Sequence, residues 1–214
     1  LGEGEALGFS PDGAWIAAKI PTPAQLVVYP TGTGAQRALE RGSIERYEAA
    51  EWFPDSRSLL FTASEPARPL RSFRQSIDGG PPQAVTPEGI YGTLSPRGDR
   101  ILAQGGDVNW SLYPLDGGEP RPVAGLGRLE EIAAWSPDGE SVYARRVGEV
   151  PMRLDRVDLA TGRRTSSLSV GPPDDVGLVR VRLGDCSVLD PGRPFAYEYL
   201  RRFSTLYLVT GVEP

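Results

Sequence analysis

Trp135-Ser136-Pro137-Asp138-Gly139 is a pentapeptide that returns, with small changes, along the whole chain. Measured between the last residues of successive copies, the spacings are 43, 42, 41 and 53 residues. A nearly constant period of about 40–45 residues is typical of repeat architectures built from one supersecondary unit. The other copies are Phe9-Ser10-Pro11-Asp12-Gly13, Trp52-Phe53-Pro54-Asp55-Ser56, Leu94-Ser95-Pro96-Arg97-Gly98 and the degenerate Val188-Leu189-Asp190-Pro191-Gly192.

Each pentapeptide predicts a tight turn between two strands. Pro presets φ at the second position of a type I turn, while Ser and Asp side chains bond to nearby backbone groups. An apolar residue stands just before each turn and another just after it, as with Trp135 and Val142. That pattern is typical of a β-hairpin. The residues predicted to form the turns are Ser10, Pro11, Asp12, Gly13, Pro54, Asp55, Ser95, Pro96, Gly98, Ser136, Pro137, Asp138 and Gly139.

A second hairpin is predicted further along each unit. An apolar run, such as Leu26–Tyr29 in the first unit, leads into a glycine-containing turn, where Gly can supply positive φ. A short segment follows the first four of these turns, at 36–39, 83–85, 120–123 and 164–168. The turns themselves are Thr31-Gly32, Asp78-Gly79, Asp116-Gly117, Thr161-Gly162 and Thr210-Gly211.

Four strands in about 42 residues are the content of one β-propeller blade. We therefore predict an all-β chain that forms a β-propeller of four-stranded antiparallel blades, with about five blades readable. The abundance of turn formers, 26 glycines and 21 prolines, agrees with many short strands. Residues 1–214 are predicted to form a single domain, with blades at approximately 1–41, 42–86, 87–125, 126–170 and 171–214.

The repeats resemble the TolB-like, WD-repeat-like β-propeller repeats of bacterial proteins, which share the Ser-Pro-Asp-Gly turn and a later Asp-Gly-Gly turn. The resemblance covers essentially the whole chain. The ending, around Phe195–Tyr199 and Ser204–Val209, resembles the C-terminal propellers of bacterial signalling proteins. This resemblance implies that a Ser/Thr kinase or winged-helix domain lies upstream. Ser56 and Arg97 depart from the turn pattern, and the fifth copy is loose.

The fifth unit is predicted to be irregular. A longer insert is expected around Gly171–Asp185, and the apolar run Leu206–Val209 is expected to be its third strand. Only three residues follow Gly211, so this unit has no fourth strand of its own. Closed propellers remove such an edge by borrowing a strand from the other terminus. We expect either that upstream sequence supplies the missing strand or that a five-bladed ring closes imperfectly.

Composition excludes several classes of function. The net charge of −5 and pI of about 5.0 lack the basic footprint of a nucleic-acid binder. The chain has no His, which excludes His-dependent catalytic triads and His-ligated zinc within it. Its single cysteine, Cys186, allows no internal disulfide. We predict no catalytic residues, no cofactor and no metal, and no apolar run is long enough to span a membrane.

Carboxylate pairs are the remaining route to acid–base chemistry. Glu130-Glu131 and Asp174-Asp175 are each adjacent in sequence, and neighbours on an extended chain point to opposite sides. We expect all four to be solvated loop charges. A propeller glycosidase would need carboxylates from different blades to converge at one mouth.

The loops at one end of the ring are the best candidates for function. They link the second and third strands of a blade, and one blade to the next, and they are rich in the residue types enriched at binding hot spots. We predict a non-enzymatic module that binds a protein or peptide, with a small-molecule ligand as a second type of partner. The alternatives are an accessory propeller of a prolyl-oligopeptidase-like hydrolase and a carboxylate-based glycosidase. The candidate binding residues are Arg46, Tyr47, Arg68, Arg71, Tyr91, Trp110, Arg128, Arg146, Arg201 and Arg202.

Overall fold

A computed structural model describes residues 2–105, 109–183 and 188–203. Within these ranges the chain forms eighteen β-strands and no helix. The strands assemble into four sheets of four antiparallel strands and one two-stranded hairpin. In each four-stranded sheet the strands follow one another in chain order, as a propeller blade requires.

The four complete blades each have four strands, and the fourth strand has two residues in the first three blades and seven in blade 4. Blade 1 consists of β1 (Glu5–Phe9), β2 (Trp15–Pro21), β3 (Ala24–Pro30) and β4 (Arg37–Ala38). Blade 2 consists of β5 (Arg46–Trp52), β6 (Ser58–Ser64), β7 (Arg71–Ser76) and β8 (Gln83–Ala84). Blade 3 consists of β9 (Tyr91–Leu94), β10 (Arg100–Gln104), β11 (Trp110–Pro114) and β12 (Arg121–Pro122). Blade 4 consists of β13 (Glu130–Trp135), β14 (Ser141–Arg146), β15 (Met152–Asp158) and β16 (Arg164–Val170).

The pentapeptides form hydrogen-bonded turns. The Gly139 N–H donates to the Ser136 carbonyl at 2.9 Å, and Gly13 and Ser10 form the same bond at 2.8 Å. The Ser136 hydroxyl donates to Asp138 at 2.5 Å and accepts from the Ser141 N–H at 3.0 Å, which closes the turn from the inside. The hydrogen bond from Ser136, followed by one from the Glu140 N–H, holds the pKa of Asp138 below its usual value.

Consecutive blades pack face to face through separate apolar clusters. Phe61 of blade 2 packs with Leu26 of blade 1, while Phe53 lies against Ile101 of blade 3. The Trp135 ring is fully buried at the interface of blades 3 and 4. A fourth cluster joins blade 4 to the last hairpin. The succession of clusters, one at each boundary, is the packing of a propeller.

The last hairpin corrects the prediction for the fifth unit. It pairs β17 (Leu178–Leu183) with β18 (Tyr197–Arg201), so a strand occupies the part that was predicted to be an insert. The degenerate pentapeptide lies between these two strands, where Val188 bridges to Trp135 of blade 4 and Leu189 is fully buried. The motif is therefore held by the core of the preceding blade. The predicted strand Leu206–Val209, the turn Thr210-Gly211 and Cys186 lie outside the described residues.

Candidate functional site

Antiparallel pairing divides the described blades into two ends. The pentapeptide turns form one end, which we call the turn end. The first strands begin at the opposite end, which we call the loop end. There Arg46 pairs with Ser64, Tyr91 with Gln104, and Glu130 with Arg146. The beginnings of the first strands and the ends of the second strands thus lie at the loop end. This end therefore carries side chains from several blades.

A cleft of about 730 Å³ opens between the first strands of blades 2, 3 and 4, and we call it the inner cleft. Its volume is in the range of about 300–1,000 Å³ that ligand sites occupy. Three of its side chains form a row across blade 3, because Gln104 pairs with Tyr91 on one side and with Trp110 on the other. Tyr91 is 45% exposed, whereas Trp110 is 8% exposed and donates its indole N–H to the Gly127 carbonyl at 3.3 Å.

Gly92 and Glu51 shape the wall of the inner cleft. Gly92 is required by close approach, because a Cβ there would lie 2.0 Å from the Leu102 carbonyl oxygen. The Glu51 carboxylate accepts the Leu94 N–H and the Thr93 hydroxyl, both at 3.1 Å, and so ties blade 2 to blade 3. Since alternate residues of a strand direct their backbone groups to the same edge, the Gly92 N–H and carbonyl point away from β10, as the Leu94 N–H does.

The prediction that Glu130 and Glu131 are solvated loop charges is wrong for Glu130. Both residues lie in β13, and the Glu130 side chain is only 6% exposed. The Arg164 guanidinium donates to both carboxylate oxygens, at 2.7 and 3.0 Å, and the Gly127 N–H donates at 2.6 Å. The hydrogen bonds from Arg164, ahead of the other contributions, lower the pKa of Glu130. Glu131 is half exposed and pairs with Arg145.

A second cleft of about 540 Å³ lies next to Glu130, and the linker between blades 3 and 4 forms part of its wall. We call it the arginine cleft. It is lined by Gly125–Glu130, Arg146 and Arg164. Arg128 and Arg146 are exposed, and neither forms an ion pair within the described part of the chain. Leu129 and Val147 are 78% and 59% exposed, and a hydrogen bond of 3.1 Å from the Val147 N–H to the Leu129 carbonyl holds them side by side.

The structure separates eight of the ten predicted binding residues into three groups. Tyr91 and Trp110 meet in the inner cleft, and Arg128 and Arg146 meet in the arginine cleft. Four further residues form salt bridges elsewhere: Arg46 with Glu48, Arg68 with Glu88, Arg71 with Glu65, and Arg201 with Asp174. Arg202 is exposed.

The prediction that Tyr47 is a binding residue of the loops is wrong, because Tyr47 does not lie on a loop surface. It is 6% exposed, and its ring lies 5.4 Å from that of Phe61 in the core between blades 1 and 2. Burial raises the pKa of Tyr47 to about 12. Trp110 is likewise predominantly a core residue, and it contributes only a small surface to the inner cleft.

Sequence reasoning missed Glu51, Gly92 and Leu129. Glu51 and Gly92 stand in first strands, where nothing in a single sequence separates a side chain on the cleft from one between blades. Leu129 could have been recognised from the sequence, because the repeat pattern does not account for an apolar residue between Arg128 and two glutamates.

The described residues contain neither a metal-binding cluster nor a membrane-spanning helix. No group of three or more Asp, Glu, Cys or His side chains suited to holding a metal ion occurs among those residues. Asp174 instead pairs with Arg201 at 3.0 Å and accepts the Val176 N–H, and both Asp174 and Asp175 are exposed as predicted. The same ranges contain no helix of the length and apolar character needed to cross a membrane.

Known structures similar to this chain are propellers. The putative TolB from Agrobacterium tumefaciens superposes with a TM-score of 0.62 at 19% identity, covering 78% of this chain and 62% of that chain. TolB from Acinetobacter baumannii gives 0.61 at 16%, covering 92% and 51%. The beta-propeller domain of Cps50 (Swd1) from Myceliophteria thermophila gives 0.60 at 14%, covering 86% and 61%.

These similarities establish the fold. They confirm the predicted β-propeller and its likeness to TolB propellers. The chain spans less than two thirds of the length of each of the three structures. No family model matches the chain, and no curated protein matches it.

Proposed function

We propose that this chain is a non-enzymatic propeller module that binds a protein or peptide partner at its loop end, in the inner cleft. The observation that carries the proposal is the exposed Tyr91 ring beside a cleft of about 730 Å³ formed by three blades. A Tyr that remains exposed at the rim of a concave site is typical of binding hot spots. Following the resemblance of its last residues, we place this module in the C-terminal part of a larger bacterial signalling protein.

The form of the cleft favours an extended peptide. The Gly92 N–H and carbonyl point away from β10, at a position that lines the inner cleft. Peptides that add to a strand gain affinity from main-chain hydrogen bonds and specificity from pockets for alternate side chains. Tyr91 and Gly92 would supply a stacking surface and a backbone edge in immediate succession.

The proposal is tested by selecting a random peptide display library against the whole chain. We expect selected peptides to shift the backbone amide resonances of Tyr91, Gly92 and Gln104, and the Tyr91→Ala variant to bind them about tenfold more weakly. The matched control is Phe9→Ala, because Phe9 is 65% exposed and lies at the turn end. Peptides that bind the Tyr91→Ala variant as tightly as the original chain would overturn the proposal.

A glycosidase is the second candidate, because carboxylates of different blades do line one cleft. Glu51 comes from blade 2, and Glu130 and Glu131 come from blade 4. The bonding of these groups speaks against acid–base work, since Glu130 is ionised and held by Arg164 and Glu131 pairs with Arg145. Hydrolysis of an aryl glycoside that disappears in the Glu131→Gln variant would favour this candidate over the binding module.

A further inference from the structure

We propose that the arginine cleft is a docking site for an acidic peptide segment that carries an aliphatic side chain among its carboxylates. This inference rests on the proposed function, because it takes the ligand to be part of a protein partner. It concerns a different site and a different chemistry from those of the inner cleft.

Charge is the first argument. Arg128 and Arg146 line the cleft with exposed guanidinium groups, and neither has an ion-pair partner among the described residues. The neighbouring Glu130 carboxylate is 6% exposed and is occupied by Arg164. Arg164 also holds Asp155 at 2.7 Å. The cleft therefore presents positive charge on a chain whose net charge is −5, and guanidinium groups match carboxylates in a bidentate geometry.

The rigidity of the linker is the second argument. The Gly127 N–H is held by Glu130 at 2.6 Å and its carbonyl by the Trp110 indole at 3.3 Å, while Arg164 donates to the Gly125 carbonyl at 2.9 Å. Gly125 packs so closely that a Cβ would lie 2.3 Å from the Gly162 carbonyl oxygen. A segment fixed before binding loses little conformational entropy when a ligand arrives.

The exposed aliphatic pair is the third argument and decides what kind of anion fits. Leu129 lines the cleft together with Arg128 and Arg146, and Val147 lies beside Leu129, directly after the neighbouring strand β14. The hydrogen bond between their backbones extends the ladder of β13 and β14 by one more pair. A phosphate ion would use only the arginines, whereas a peptide with Leu between acidic residues would also cover this apolar surface.

The experiment measures fluorescence anisotropy of a fluorescein-labelled peptide, Ser-Glu-Asp-Leu-Glu-Glu-Ser, with the whole chain. We expect the Arg128→Ala/Arg146→Ala variant to bind about tenfold more weakly. The Arg57→Ala/Arg121→Ala variant should bind like the original chain, because these arginines are also exposed and have no ion pair among the described residues, but do not line the arginine cleft. Arg57 directly follows the turn of blade 2, and Arg121 faces Leu112 in blade 3. Leu129→Ser should weaken binding of this peptide and leave unchanged the binding of a peptide with Ser in place of Leu.

Three outcomes would overturn the inference. The first is that the acidic peptide binds no more tightly than a version with Gln in place of every Glu and Asp. The second is that the two double variants lose the same affinity for the peptide. The third is that inorganic phosphate competes with the peptide while Leu129→Ser has no effect on its binding. Circular dichroism and an Arg128→Lys/Arg146→Lys variant, which keeps the charge, separate misfolding from lost recognition. Tyr91→Ala should leave this binding unchanged, so failure of the inner-cleft proposal is seen independently.

Discussion

Tyr47 and Tyr91 stand near the beginning of the first strands of neighbouring blades, and they have opposite environments. Tyr91 is the first residue of β9, whereas Tyr47 is the second residue of β5. Tyr47 pairs with Ala63 and Tyr91 with Gln104, so Tyr47 lies one pair further from its turn, and a β-bulge between Tyr47 and Ala49 takes up the extra residue. Because successive pairs alternate between the two faces, this shift of one pair sends Tyr47 into the core and leaves Tyr91 on the inner cleft. Position in the strand, more than residue type, thus determines which aromatic can meet a partner.

The buried hydroxyl of Tyr47 leads to the first prediction. It has no hydrogen-bond partner among the described residues, and an unsatisfied buried polar group costs free energy. Tyr47→Phe should therefore raise the free energy of unfolding by about 1 kcal/mol, while Tyr47→Ala should lower it by about 3–5 kcal/mol through loss of packing. Urea denaturation measures both. A destabilised Phe variant would show that the hydroxyl is satisfied after all.

Glu130 leads to a prediction about pH. Its pKa is lower in the folded chain than the ordinary value of 4.5, so folding favours the ionised form. Its contribution to stability is therefore complete above that ordinary value and is lost as the pH falls through the lower, folded pKa. Glu130→Gln should reduce the free energy of unfolding at pH 7 by about 2 kcal/mol and flatten the decline of that free energy as the pH falls below the ordinary pKa of a Glu.

Glu131→Gln is the matched control for this pH prediction. Its carboxylate is half exposed and pairs with Arg145 at the surface, so the change should cost less than about 1 kcal/mol. Denaturation curves across the acid range compare the three chains. Parallel curves for the original chain and Glu130→Gln would contradict the assigned role of the Arg164 pair.

The pentapeptide turns of consecutive blades lie against one another, as the hydrogen bond from the Asp12 N–H to the Ser56 hydroxyl shows. Glycine at the last position of a turn is favoured for two different reasons. Gly13 and Gly98 both adopt left-handed backbone, with φ of +71° and +70°. A Cβ at Gly13 would meet no atom within 4 Å, whereas a Cβ at Gly98 would lie 2.8 Å from Cδ of Pro54 in the preceding turn. At Gly13 in blade 1, only the left-handed backbone requires glycine. At Gly98 in blade 3, the left-handed backbone and the packing against Pro54 both require it.

This difference predicts unequal costs for the same substitution. Gly13→Ala should lower the free energy of unfolding by about 1 kcal/mol, the cost of placing Ala in the left-handed region. Gly98→Ala should cost about 1–3 kcal/mol more, because the rigid Pro54 ring must move. Thermal or urea unfolding of the two variants gives the comparison. Equal losses would show that the turn of blade 3 can move away from blade 2 without penalty.

The repeat pattern predicts elements well because each turn has its own local chemistry. The bond from Gly139 to Ser136 and the short strands β4, β8 and β12 all follow from residues close in sequence. The clefts do not, because they depend on which face of a first strand meets the neighbouring blade. The hairpin of β17 and β18 also escaped prediction, since Val188 and Leu189 belong to the packing of blade 4.

Stability should vary along the whole molecule, because its blades are not equally covered. Every residue of β6 except the last is buried, whereas β18 is exposed at four of its five positions. The sheet of β17 and β18 has two strands within the described residues, and two-stranded sheets are marginal by themselves. Strands with few buried apolar contacts open at lower free energy than core strands.

Amide hydrogen exchange should therefore rank the blades. We expect the amides of β18 to exchange at least about tenfold faster than those of β6, which corresponds to a difference of about 1.4 kcal/mol in opening free energy. Within the described residues β18 pairs with β17 alone, and exposed strand edges recruit other chains. Sedimentation should therefore show self-association that rises with concentration and falls when β18 carries a Leu200→Lys substitution. Lys at Leu200, a position 45% exposed, adds charge without emptying the core. Uniform protection across β6 and β18, together with a monomer at every concentration, would show that the last hairpin is as firmly covered as the central blades.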